Sequence, residues 1–250
     1  MLTLNLLRFI LCGVPRCKDV CLLFTRRSAG SYNACRLTML QSVRAQAYER
    51  GKGLATAVLA LGATSPCVIV SSPFLRCIQT AAEVLKGMQF VYGKQSEGDA
   101  ARAAVEAPTV LHLDFGLSEM QTERQMKYRS PTYLSKSELV ALEGGLGEIL
   151  GKWAGEDDAD TGQEAPGYPE TQEAAVRRYR AAFQRILSRF PDSNVVCVTH
   201  GDAVATFMAQ AGFTSSKDNV YETPVSSCIS VALTHEKDAP SPAQLVNNLS

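Results

Sequence analysis

The chain has 250 residues, 46% of them apolar and 20% charged, which excludes a disordered tail, a collagen-like chain and a coiled coil. Twenty-five basic residues balance twenty-five acidic ones, so no global field draws the chain to nucleic acid or to an anionic membrane. No run of eighteen apolar residues exists, and no membrane span is expected.

Residues 1–18, MLTLNLLRFILCGVPRCK, are apolar and basic with no acid, and read as an N-terminal extension. Arg8 interrupts the apolar run and no charged segment precedes it, which argues against a signal peptide. Acid-poor, Arg-bearing N-termini have the character of organelle transit peptides, so a mitochondrial targeting segment stands beside a plain extension. A first strand is expected over Asp19–Thr25, ending at Arg26 and Arg27. Residues 28–48 carry no period and read as a loop. Glu49–Gly62 reads as a helix, although Gly51 and Gly53 each cost about 1 kcal/mol there. Cys67–Ser71 is a second strand. Ser72-Pro73 then opens a helix through Leu75, Ile78, Ala82 and Leu85.

Residues 87–108 are Gly-bearing and mixed, and read as irregular. Val110–Asp114 is strand-like. Residues 120–170 hold short helical patterns around Leu139–Leu150 and an acidic stretch, Glu156–Glu164, read as a solvated loop. Ala174–Phe190 is the clearest helix, with Val176, Tyr179, Phe183, Ile186, Leu187 and Phe190 on one face. Asn194–Thr199 is a strand buried on both faces, followed by His200-Gly201 and a helix over Asp202–Ala211. Ser227–Leu233 is a last strand.

The eight cysteines are spaced irregularly, and Cys67, Cys197 and Cys228 sit in or beside β-like runs. That favours buried free thiols in a reducing compartment, hence an intracellular, cytoplasmic protein. Cys12, Cys17 and Cys21 form no C-x2-C pair and have no histidine nearby, so no metal is expected.

Strands alternating with helices predict an α/β three-layer sandwich with a mostly parallel central sheet flanked by helices. Residues 19–250 read as a single domain with irregular insertions at about 28–48, 87–108 and 120–170. In such folds ligands sit beyond the carboxyl ends of the strands. Arg26 and Arg27, then Ser71, Ser72 and Arg76, then Glu119, then His200 all follow strand ends. The residues thus describe a basic pocket with one acid and one histidine.

Ser71–Val84, SSPFLRCIQTAAEV, resembles the S-S-P-x-x-R-x-x-Q-T-A segment of the histidine phosphatase superfamily, in its phosphoglycerate-mutase-like branch. Val196–Val204, VCVTHGDAV, is similar to that family's strand-to-His-Gly motif. Gly51, the Leu117-Ser-Glu119 acid, and Glu170-Thr171 with Arg178 eight residues on, agree in order from about Asp19 to the end. The resemblance implies a phosphoglycerate-mutase-like fold and no cofactor. It implies phosphate binding by Arg26, Arg76 and His200, with Glu119 as the acid that protonates the leaving oxygen.

In that family a histidine in an R-H-G motif after the first strand attacks phosphorus. The matching residues here are Arg26-Arg27-Ser28, so Arg27 occupies the nucleophile position. A guanidinium has no lone pair to attack with. Losing the nucleophile of a concerted site costs on the order of a millionfold in rate. The expected function is therefore a pseudophosphatase that binds a phosphomonoester, on a small molecule or on a phosphorylated protein. The alternative is an active phosphomonoesterase with a different nucleophile or an activated water.

Several residues also have plainer readings. Arg27 points into the pocket or swings away as a surface charge. Ser71 and Ser72 read as strand-end packing and capping, and His112 as a structural strand residue. His235 and the arginine row on the 174–190 helix read as solvated, with Arg178 an internal salt-bridge partner of a loop acid. Tyr128, Arg129, Tyr133 and Lys136 read as surface loop rather than pocket. Substrate and oligomeric state have no readable motif.

Overall fold

The computed structural model describes residues 8–14, 41–60, 67–96, 108, 110–123, 126, 131–141, 165–190, 193–210, 229–232 and 244–246. In chain order the elements are β1 (Arg8–Val14), α1 (Gln41–Ala60), β2 (Cys67–Ser71), α2 (Leu75–Ser96) and β3 (Leu111–Leu113). A 3-10 turn (Phe115–Leu117) follows, then α3 (Lys136–Val140), α4 (Gln172–Arg189), β4 (Asn194–His200), α5 (Gly201–Gln210), β5 (Ile229–Ala232) and β6 (Gln244–Val246).

The strands form one sheet in the order β3-β2-β4-β1-β5-β6. The first four are mutually parallel; at one edge β5 runs antiparallel to β1, and β6 antiparallel to β5. Alternate residues face opposite layers. Cys67, Ile69, Val196 and Val198 join one core with α1 and α2. Val70, Val195 and Cys197 join a second core with α4 and Ala203 and Val204 of α5. Helices on both faces of a mostly parallel sheet make the expected α/β three-layer sandwich. All seven residues of β4 are buried, as its unbroken apolar run requires.

The first strand is the main correction. It is Arg8–Val14, inside the stretch read as an extension, and it lies in the sheet interior between β4 and β5. The expected strand at residues 19–25 lies outside the described residues. An uninterrupted apolar run such as Phe9-Ile-Leu-Cys12 suits a strand buried on both faces as well as it suits a targeting segment, and composition alone does not separate the two.

Two stretches read as irregular are helical. Residues 41–48 open α1, where Ala47 is buried. Residues 87–96 extend α2, because Ala81, Leu85, Met88 and Tyr92 continue one buried stripe past the glycine. Gly87 is a contact, not a break. A Cβ there would lie 2.1 Å from the Tyr48 carbonyl oxygen, and one at Gly51 would lie 2.2 Å from that of Val84. The two glycines let α1 and α2 cross backbone to backbone. That contact fixes the direction of α2, which carries Arg76 in its first turn.

α4 starts where Thr171 accepts from the Ala174 N–H at 3.2 Å. Its buried face is Ala175, Tyr179, Ala182, Phe183 and Ile186. Leu187 and Phe190 pack against it as expected, while Ala175 and Ala182 take places that the sequence pattern gives to larger residues. Among the described residues no helix is long and apolar enough to cross a membrane.

Candidate functional site

The carboxyl ends of β2, β3, β4 and β1 lie at one sheet edge, with Ser71 paired to Leu113 and Val198, and Val14 to His200. The chain is cross-tied there. The Ser72 N–H donates to the Val198 carbonyl at 2.8 Å and the Asp114 N–H to that of Ser71 at 2.9 Å. The Thr199 hydroxyl donates to the Leu117 carbonyl at 2.8 Å. The loops after three strands are thereby held in fixed register.

On this edge the structure brings Arg76, Glu119 and His200 together. Arg76 Nη2 donates to Glu119 Oε2 at 2.5 Å and lies 3.2 Å from His200 Nδ1. His200, the last residue of β4, is buried, and its Nε2 lies 2.9 Å from Ser72 Oγ and 3.6 Å from Cys77 Sγ. Phe74 stands edge-on to the imidazole at 4.8 Å and carries the Arg76 guanidinium over its face at 4.8 Å.

Burial holds the His200 pKa well below its ordinary 6.5, and Arg76 and Arg178 push it the same way. The imidazole is therefore neutral. A guanidinium only donates, so His200 Nδ1 is an acceptor here and the ring proton sits on Nε2, donated to Ser72. Burial pushes the Cys77 thiol up to about 12, against the pull of Arg76, so that sulfur stays protonated.

A second Arg–Glu pair braces the acid loop. Arg178 is bidentate to Glu170, at 2.8 and 2.7 Å. It also donates to the carbonyls of Gly116 at 2.8 Å, Ser118 at 3.0 Å and Glu119 at 3.5 Å. This is the internal salt bridge that the sequence suggested. Glu170 further accepts from the Gln121 N–H at 3.1 Å. Arg185, also in the row read as solvated, instead reaches Asp114 at 2.7 Å.

Arg26, Arg27 and Ser28 lie outside the described residues, as do Tyr128, Arg129 and His235. With β1 at Arg8–Val14, the residues that follow the first strand in the chain are Pro15, Arg16 and Cys17. His112 sits in β3 with its ring 5.0 Å from Phe190, in a packing role. Lys136 opens α3.

Tyr133 is part of the site's wall rather than plain surface. It stands edge-on to Phe74 at 5.7 Å and to Phe115 at 5.0 Å, donates to Ser118 Oγ at 3.1 Å and accepts from Gln121 Nε2. Phe74 and Cys77 are neighbours that the sequence reading does not name as site residues, while Ser72 reads there as strand-end packing and Tyr133 as surface loop. Phe74 follows directly in the S-S-P-F run at the strand end.

The family model of the histidine phosphatase superfamily (branch 1) matches residues 141–248, the stretch holding Glu170, Arg178 and His200. Among solved structures, the ecdysone phosphate phosphatase of Bombix mori, in complex with tungstate, is similar over 97% of this chain and 92% of its own. The identity is 17% and the TM-score 0.53. A mycobacterial glucosyl-3-phosphoglycerate phosphatase matches over 96% of this chain and 97% of its own, at 17% identity and TM-score 0.42. A phosphoserine phosphatase from Entamoeba histolytica does so over 96% and 94%, at 16% identity and TM-score 0.45. No curated protein matches the chain. The chain has the histidine phosphatase fold, and its residues 141–248 carry that superfamily's sequence pattern. The resemblance seen around His200 is met by that match, which does not reach the Ser71 segment.

Proposed function

We propose that the chain binds a phosphomonoester, on a small molecule or a phosphorylated protein, at Arg76, His200 and Glu119, with Arg26 a further anion contact. We also propose that it has lost the family's hydrolytic step. The observation that carries the second part is the distribution of histidine. The chain has three, His112, His200 and His235, so none precedes residue 112. Whether the nucleophile position falls at Arg26-Arg27 or, following the observed β1, at Arg16-Cys17, its second residue is not histidine. The binding part rests on a neutral, buried imidazole beside a guanidinium at the carboxyl edge of the sheet, a setting in which charge-assisted hydrogen bonds to an oxyanion are strong.

The test pairs binding with turnover. Tungstate and orthophosphate titrated into the purified protein are expected to raise its melting temperature, and Arg76→Ala to abolish that rise. p-Nitrophenyl phosphate is expected to turn over at a trace rate, raised by Arg27→His or by Cys17→His. Wild-type turnover at an ordinary rate of about 1–1000 per second overturns the pseudophosphatase reading. A trapped phosphoenzyme mapped by mass spectrometry then names the acceptor.

A further inference from the structure

Arg76 and His200 stand at one end of a run of aromatic rings that anion binding by itself does not call for. Phe74 lies edge-on to the His200 imidazole at 4.8 Å, and the Arg76 guanidinium lies over its face at 4.8 Å. Tyr133 stands edge-on to Phe74 at 5.7 Å, and Phe115 edge-on to Tyr133 at 5.0 Å. Phe74 is fully buried, whereas Tyr133 and Phe115 are half-buried, so the open side of the cluster is theirs. Their ring planes meet at 83° and make an apolar corner rather than a stack.

Both open rings belong to the loop that carries the acid. Phe115 precedes Glu119 in it, and the Tyr133 hydroxyl is tied to it on both sides of Glu119. That hydroxyl donates to Ser118 Oγ at 3.1 Å and accepts from Gln121 Nε2. Ser118 and Gln121 are fully buried, so the polar end of Tyr133 is held inside the protein and its ring is what faces outward. In the phosphate-site reading Glu119 faces the ester oxygen, and the group bonded to that oxygen lies against the same loop. A hydroxyl-rich group loses water there and meets aromatic carbon in return, which is costly. A planar ring instead gains edge and face contacts with the two walls of the corner. We propose that Tyr133 and Phe115 form a subsite for the group beyond the ester oxygen, and that this group is an aromatic ring. The ligand is then an aryl phosphate, as a phenol ester on a small molecule or a tyrosine ester on a protein. The inference rests on the phosphate-site reading above and names the chemical class of its ligand.

The experiment is calorimetric titration of the full chain with orthophosphate and with methyl, glycerol, cyclohexyl and phenyl phosphate. Phenyl phosphate is expected to bind about tenfold more tightly than the methyl and glycerol esters, with the cyclohexyl ester between them. The ratio of phenyl phosphate to orthophosphate affinity is expected to collapse in Tyr133→Leu and to survive in Tyr133→Phe, which keeps the ring. Phe115→Leu is expected to lower the same ratio, so the test stands even where a Tyr133 variant does not fold. A phosphotyrosyl peptide that binds more tightly than phenyl phosphate assigns the aryl phosphate to a protein, and one that binds no more tightly assigns it to a small molecule. Phenyl phosphate no tighter than the methyl or cyclohexyl ester, or a ratio unmoved in both leucine variants, overturns the aryl subsite and leaves the phosphate site standing. No binding of any of these anions overturns both.

Discussion

Two part-buried Arg–Glu pairs meet at the Glu119 backbone and do different work. Arg178 spreads its donors over both Glu170 oxygens and three backbone carbonyls. Arg76 makes its contacts to Glu119 and His200 from one nitrogen, Nη2. The first pair is a strut, with acceptors fixed in the backbone. The second is a site, in which an acid, a base and a cation meet at the sheet edge and can trade partners. Identical chemistry is locked or adaptable according to whether backbone or side chains receive it.

Replacing each arginine separates the roles most sharply. Arg178→Ala leaves Glu170, 6% exposed, without its cation and frees the carbonyls of Gly116 and Ser118. Breaking a buried pair from one side costs about 3–5 kcal/mol, so the urea midpoint is expected to collapse. Arg76→Ala is expected to cost less in stability and to abolish tungstate binding. A stable Arg178→Ala protein, or an Arg76→Ala protein that still binds tungstate, would erase the distinction.

The scaffold that aims Arg76 gives a smaller effect. In Gly87→Ala the new methyl would meet the Tyr48 carbonyl oxygen at 2.1 Å, and backbone cannot swing aside as a flexible side chain can. Forcing α1 and α2 apart is expected to cost about 1–3 kcal/mol and to weaken anion affinity as α2 shifts. A drop in stability with unchanged affinity would show that the sheet edge, not the helix crossing, sets Arg76.

The pH response sharpens the comparison on the site's side. His200 has a folded pKa below its unfolded value of about 6.5, so below that pH the unfolded chain binds the extra proton. Stability is then fully present above pH 6.5 and is lost as the pH falls toward the folded pKa, at up to about 1.4 kcal/mol per pH unit. His112, also lowered by burial and Arg189, adds to the same slope. Urea midpoints between pH 7.5 and 5.5 are expected to fall, and less steeply in His200→Gln. A flat wild-type profile would mean that His200 is charged.

What was legible in the sequence follows the same division. β2, β4 and α4 were readable because their burial is written in apolar spacing, and Arg76 and His200 because a motif surrounds each. The Arg178–Glu170 strut was readable from an eight-residue offset. β1 was not, because a buried strand and a targeting segment share a composition. The length of α2 was not, because Gly87 signals a break locally and a helix contact only in three dimensions. Ser72 and Cys77 were not, because their meaning lies in His200, 128 and 123 residues away, which no periodicity reports.

The mildest expected effect bears on whether strut and site communicate. Thr171 caps α4 by accepting from the Ala174 N–H, one turn before Arg178. Thr171→Ala is expected to lower stability by about 1 kcal/mol, the usual worth of such a cap. Tungstate affinity should hold, because Arg178 is anchored by acceptors on three separate residues besides Glu170 and does not depend on the helix end for its position. A matching loss of affinity would mean that fraying α4 displaces Arg178, and through the Ser118 and Glu119 carbonyls moves the acid away from Arg76. The strut would then be a second layer of the site rather than a separate brace.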